Sequence, residues 1–277
     1  MVALRQPFLC LVLLSMACEG SNPAGNGFVG GNGDGTDSGA SEAVLTGTEL
    51  MAPRDKASDL AVSDGVLYYS TQFDPAVAQW NPETGEEEKI TWDWRDLEAF
   101  SVFNGRFFGS FSDSGVEGWV SELLPPKDER EVASQDVNGT LFRRPADLVV
   151  SENTIWAVDE KVGVVWEIER STDQADVLVE SEGLLAVAEH KGAWVTGGEV
   201  GVQDSTGRLD ERKATALYSQ GDTLWAVNIE DGLFEVGGRS WTLSGPARPG
   251  PFVVLNKSIY TVDEVGGGIW AFEMPVQ

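Results

Sequence analysis

From residue 58 onward the chain repeats one phrase about six times: a hydrophobic strand, a polar turn, then a second strand built around one aromatic residue. Three copies read NTIWAVDE (153–160), DTLWAVNI (222–229) and KSIYTVDE (257–264), and fainter ones read GVLYYSTQ (65–72), GRFFGSFS (105–112) and GAWVTGGE (192–199). The central aromatics, Tyr68, Phe108, Trp156, Trp194, Trp225 and Tyr260, recur at intervals of 31 to 48 residues. A period near 40 with several short strands per unit specifies an all-β fold of radially arranged sheets, a β-propeller. No amphipathic stretch of helical length interrupts it. The 234 residues from Val44 to Gln277 divide into six blades of about 39, enough for four short strands and their turns. Six is the expected count; the connections at 135–145 and 245–251 leave five or seven open.

The last repeat supplies three strands, near 252–255, 258–263 and 268–274, where each of the others supplies four. An incomplete blade would leave an open sheet edge in the ring. The strand-like run 44–50, Val-Leu-Thr-Gly-Thr-Glu-Leu, precedes the first repeat. It is expected to provide the missing outer strand of the last blade and so clasp the two ends. Eight of the ten tryptophans fall inside strand runs at regular spacing, which predicts packing between blades. Trp92 and Trp94, two apart in Thr91-Trp92-Asp93-Trp94, share one sheet face near a blade end and are expected to be partly exposed.

The N-terminus reads as an address rather than as fold. Arg5 is followed by the apolar run Phe8 to Leu14, too short to span a bilayer, and then by Ser15-Met16-Ala17-Cys18. This segment resembles a bacterial lipoprotein signal, which implies cleavage after residue 17 and lipid attachment to Cys18; an ordinary secretory signal is the other reading. The only cysteines are Cys10, inside the apolar run, and Cys18, so a mature Cys18 has no thiol partner and lipidation accounts for it. With Glu19 next in line, the resemblance implies the outer membrane. Residues 18–43 are rich in glycine with almost nothing to bury, and are read as a flexible tether with a span of roughly 25–30 Å. The expected organisation is therefore signal 1–17, lipidated Cys18 and tether 18–43, and propeller 44–277.

The chain carries 45 acidic and 19 basic residues, a net charge of −26. Such a surface repels nucleic acid, which is excluded as a partner, and favours a soluble monomeric domain. In a propeller the loops between second and third strands of each blade emerge on one face. Here those loops contain Asp74, Asp113, Glu117, Asp159, Glu160, Glu199, Glu230, Asp231, Asp263 and Glu264, which predicts an acidic face. Asp159, Asn228 and Asp263 hold the same place in WAVDE, WAVNI and YTVDE. Two roles are open for them. Each could cap its own turn, or the three could form an oxygen-only ligand set suited to Ca²⁺ or Mg²⁺. The lone histidine, His190, cannot build an ordinary zinc site, and no nucleophile elbow, phosphate loop or dinucleotide fingerprint is present.

The repeats, clearest in ADLVVSENTIWAVDEKVGVVWEIE (146–169), resemble those of NHL-type and gluconolactonase-type propellers. The resemblance implies the propeller fold. Through the gluconolactonase type it also implies a divalent-metal lactonase or hydrolase that would use channel acids such as Asp159, Asn228 and Asp263. Without a family-specific catalytic motif, the leading expectation is a non-enzymatic module, lipid-anchored in the cell envelope. It would bind an envelope protein or glycan through its acidic loop face, with the connection Ser110–Gly118 as a contact loop. An outer-membrane assembly scaffold is the further alternative.

Overall fold

The computed structural model describes residues 43–51, 56–71, 76–92, 96–126 and 128–275. The signal, Cys18 and the tether up to residue 42, together with Asp74 and Trp94, lie outside the described residues, and so does the Trp92 side chain. The chain opens with β1 (Ala43–Thr46) and β2 (Thr48–Met51). Blade 1 is β3 (Ala57–Ser63), β4 (Val66–Thr71), β5 (Ala76–Trp80) and β6 (Glu87–Trp92). Blade 2 is β7 (Leu97–Phe103), β8 (Arg106–Asp113), β9 (Glu117–Leu124) and β10 (Asp128–Ala133). Blade 3 is β11 (Pro145–Val150), β12 (Thr154–Asp159), β13 (Val164–Glu169) and β14 (Gln174–Glu180). Blade 4 is β15 (Leu184–His190), β16 (Ala193–Gly198), β17 (Gly201–Asp204) and β18 (Gly207–Asp210). Blade 5 is β19 (Ala216–Gln220), β20 (Thr223–Asn228), β21 (Gly232–Glu235) and β22 (Ser240–Ser244); blade 6 brings β23 (Pro249–Leu255), β24 (Ser258–Asp263) and β25 (Ile269–Glu273).

Each blade is an antiparallel meander, so six blades stand and the readings of five or seven fall away. The hairpins joining first to second strands carry left-handed pairs such as Asp64-Gly65, Asn104-Gly105 and Lys191-Gly192. A two-residue turn of this hand matches the twist of the strands it joins. The first strands, β3, β7, β11, β15, β19 and β23, neighbour one another around the axis. They are rich in alanine (Ala57, Ala61, Ala99, Ala186, Ala188, Ala216), as the narrow centre of a tapering ring requires. The outer strands β6 and β10 begin Glu87-Glu88-Lys89 and Asp128-Glu129-Arg130-Glu131, charges that protect an open edge.

Hydrophobic side chains form six buried clusters, one at each blade-to-blade interface. Trp80, Trp156, Trp166, Trp225 and Trp241 are buried in them, so the tryptophans pack between blades as expected. The connection 135–145 is a wedge at one of these seams. Phe142 is fully buried and stacks on Trp166 with ring centres 4.5 Å apart.

Ring closure is divided where the sequence predicts one strand. Residues 48–51 pair antiparallel with β25 and complete blade 6, as expected. Residues 43–46 instead pair parallel with β22 and add a fifth strand to blade 5. The switch falls at Gly47, whose N–H donates to Ser244 O (2.9 Å). A Cβ at Gly47 would stand 2.6 Å from the Phe272 ring, so only glycine lets the chain lie this close to blade 6 while changing partners.

Candidate functional site

The six inner strands enclose a chamber of about 780 Å³. At one end lie the loops between second and third strands and the starts of the inner strands; this end is called the mouth below. Four bases stand there just ahead of inner strands: Lys56 before β3, Arg144 before β11, Lys213 before β19 and Arg248 before β23. Arg144 pairs with Glu160 (2.5 Å) and Glu98 (3.3 Å), Lys213 with Glu199 (2.5 Å) and Arg248 with Glu264 (2.5 Å). Lys56 Nζ donates to Val265 O (3.1 Å). Three of the predicted acids, Glu160, Glu199 and Glu264, are therefore paired with bases, while Asp113, Glu117 and Glu230 have no ion pair among the described residues. The acids were visible because they sit beside the repeat motif. Of the bases, the sequence marks Arg144, in the basic spot Arg143-Arg144-Pro145 of the connection 135–145; Lys56, Lys213 and Arg248 went unread although each lies within three residues of an inner strand.

Asp159, Asn228 and Asp263 occupy one structural position in blades 3, 5 and 6. Asp159 is fully buried and accepts four backbone N–H groups, those of Arg143 (2.6 Å), Arg144 (3.0 Å), Lys161 (3.1 Å) and Val162 (3.2 Å). It ties the turn at the end of β12 to the connection that enters the same blade. Asn228 Oδ1 accepts from the N–H of Glu230 (2.7 Å) and Asp231 (2.5 Å), and its Nδ2 donates to Lys213 O (2.7 Å). Asp263 accepts from the N–H of Arg248 and Val265 (3.1 Å each). Burial opposes ionisation of Asp263, but the surrounding backbone N–H groups outweigh it and hold its pKa below the usual carboxylate value. The geometry is that of turn capping in all three. Among the described residues no group of three or more His, Cys, Asp or Glu is gathered so that it could hold a metal ion.

Sequence reasoning missed two other carboxyls, Asp59 and Asp147, in the chamber wall. Asp59 Oδ2 accepts from Phe100 N–H (2.8 Å) on the next blade, and its Oδ1 from Leu60 N–H (2.7 Å). Asp147 Oδ2 accepts from Val187 N–H (2.8 Å), again one blade on. The available signal was an Asp inside otherwise apolar inner strands, in ASDLAV and PADLVV. Burial, followed by the charge of Asp147, raises Asp59 to about 8, and burial raises Asp147 to about 7, against 3.8 for an ordinary Asp. This is the reverse of the usual salt-bridged aspartate. The folded chain holds these protons more tightly than the unfolded chain. The pair's stabilising contribution is thus complete below about pH 4 and is lost as pH rises through about 7 and about 8. Replacing both by Asn is expected to flatten the fall in urea midpoint across that window. A wild-type midpoint that falls no faster than that of the double variant would contradict this assignment.

The mouth also carries an apolar ring. Val116, Val162, Val200, Ile229 and Val265 sit in the second-to-third-strand turns of blades 2 to 6, and are 58, 42, 40, 56 and 57% exposed. They make up five of the twelve exposed large hydrophobics among the described residues. The predicted contact loop Ser110–Gly118 is shorter than expected: β8 runs to Asp113, β9 starts at Glu117, and Ser114-Gly115-Val116 make a tight turn closed by Val116 N–H to Asp113 O (2.9 Å). What projects is the Val116 tip.

In class the chain is a six-bladed β-propeller whose central chamber opens among paired charges and aliphatic loop tips. No protein-family model matches the sequence, and no curated protein matches it. Solved structures similar in fold include a streptogramin B lyase, with a TM-score of 0.56 and 9% identity over 83% of this chain and 98% of that one. They also include the PQQ-bound aldose sugar dehydrogenase of Streptomyces coelicolor, with a TM-score of 0.58 and 8% identity over 82% of this chain and 98% of that one. Likeness at this level of identity establishes the shared architecture.

Proposed function

We propose that the protein is a non-enzymatic binding module, anchored in the bacterial envelope through lipid on Cys18, that engages an envelope protein with its mouth face. The observation that carries this reading is the set of exposed branched aliphatics in the loop between second and third strands of five successive blades. Scattered exposed hydrophobics are ordinary, but their repetition on one face is the mark of an interaction surface. Three of them, Val162, Val200 and Val265, lie beside the ion pairs of Glu160, Glu199 and Glu264. Apolar contact residues among polar ones suit a protein partner better than a glycan.

The test replaces Val162, Ile229 and Val265 together by Asp in the full-length protein. Because these side chains are exposed, melting is expected to stay within about 2 °C of wild type. Retention of the copurifying envelope protein is expected to fall about a hundredfold or more, since buried aliphatic anchors contribute roughly 1–2 kcal/mol each. Unchanged retention would contradict the reading. Loss of retention of a glycan, with no protein captured by wild type, would replace the partner class.

A further inference from the structure

At the end of the ring opposite the mouth, a hollow of about 220 Å³ opens between blades 2 and 3 and is lined by Arg106, Arg130 and Arg170. Three of the twelve arginines of a strongly acidic chain thus converge on one small space. The nearby carboxylates do not serve them equally. Glu122 takes Arg106 (2.6 Å) and Arg130 (3.3 Å), and Asp173 takes Arg130 (2.7 Å). Arg170 has no carboxylate partner among the described residues. Its Nη1 donates to the carbonyls of Ser151 and Glu152, and Nε and Nη2 make no hydrogen bond to any described residue. The guanidinium is held in place by Phe103 and Phe108, each with its ring centre 5.1 Å away. Arg106 also lies over the Phe108 ring, at 5.5 Å. Burial, and then repulsion from Arg106, lower the pKa of Arg170 below that of a free arginine, against the smaller upward pull of Glu122 and of Glu152, which also lines the hollow.

We propose that this hollow is a binding site for a single phosphate-type oxyanion, free or as the monoester end of a larger molecule, with Arg170 as its principal donor. The planar guanidinium offers paired N–H groups that match two oxygens of such an anion, and two aromatic rings fix its orientation in advance. Arg106 and Arg130, held by Glu122, flank the same space with charge already positioned. The volume suits one oxyanion group and is below that of a drug-sized pocket. The acidic surface elsewhere does not forbid this, because charges beyond about 8 Å are largely screened at physiological salt. The site is independent of the mouth face and survives if that reading fails.

Calorimetric titration of the full-length protein with inorganic phosphate and with glycerol phosphate, against chloride at equal ionic strength, tests it. Saturable binding of one equivalent is expected. Arg170→Met, which keeps an unbranched stem over the two rings, is expected to weaken it about ten- to a hundredfold, the cost of a charged hydrogen-bonding donor. Arg170→Lys is expected to fall between the two, and Arg248→Gln at the mouth to bind as wild type does. Tighter binding of glycerol phosphate assigns the site to a phosphate monoester; binding of inorganic phosphate alone assigns it to the free anion. No saturable binding by wild type, or equal binding by wild type and a folded Arg170→Met, would overturn the proposal.

Discussion

Removal of residues 43–51 is expected to unfold the whole ring. The nine residues supply the outer strand of blade 6 and a fifth strand of blade 5. Their loss strips pairing from both β22 and β25 and uncovers Phe272, now 2% exposed, together with the neighbouring Leu243 and Trp270. The forfeited pairing and burial amount to roughly 5 kcal/mol or more. Domain stabilities are about 5–15 kcal/mol in total, so the deletion consumes a large part of the margin. It should also leave blades 6 and 1 joined by their apolar interface alone, so the damage spreads around the ring. Melting followed by circular dichroism, on chains beginning at residue 43 and at residue 52, is expected to show a large fall or a lost cooperative transition. An unchanged Tm would contradict this mode of closure. Gly47→Val should reproduce part of the effect, because its side chain would meet the Phe272 ring.

The second large effect is expected at Asp159→Ala. The substitution leaves four backbone N–H groups, those of Arg143, Arg144, Lys161 and Val162, without their acceptor at a position closed to water. Each buried unpaired donor costs about 1–3 kcal/mol, and partial relaxation brings the sum to roughly 3–5 kcal/mol. For a domain of this size that is a fall in Tm of about 10 °C or more. Asp159→Asn keeps one accepting oxygen and should cost less. Asp263→Ala should also cost less, since Asp263 caps fewer groups and is 7% exposed. A Tm for Asp159→Ala within a degree of wild type would contradict the capping role. It would also return Asp159 to the ligand set that repeat equivalence alone suggests.

What the sequence reveals of this molecule follows from the range over which each feature acts. Strand positions were legible almost to the residue because strand, turn and partner lie within ten residues. WAVDE marks β12, and Asp64-Gly65 and Asn104-Gly105 mark their hairpins. Closure was legible as a missing strand. Its division between two blades was not, because that depends on how closely Gly47 approaches Phe272, more than two hundred residues away. The same limit hid Asp59 and Asp147: each acts on a backbone N–H about forty residues on, at Phe100 and Val187, so neither stands out within its own repeat. The pairing of charge at the mouth escaped for a different reason. Glu160, Glu199 and Glu264 lie inside the repeated phrase, whereas Lys213 and Arg248 lie in connections whose lengths vary from blade to blade, and Arg144 was legible only as a local basic spot. Val162, Ile229 and Val265 were in plain view in the chain, but only the fold shows that the same turn exposes all of them.

The measurement that bears most directly on the mouth face as the binding surface is site-specific photo-crosslinking in intact cells. One reactive residue would be placed at Ile229 on the mouth and another at Lys257 in a turn on the opposite face. A defined protein adduct from position 229, absent from position 257, is the predicted result. Adducts from position 257 alone, or the same adducts from both positions, would contradict it.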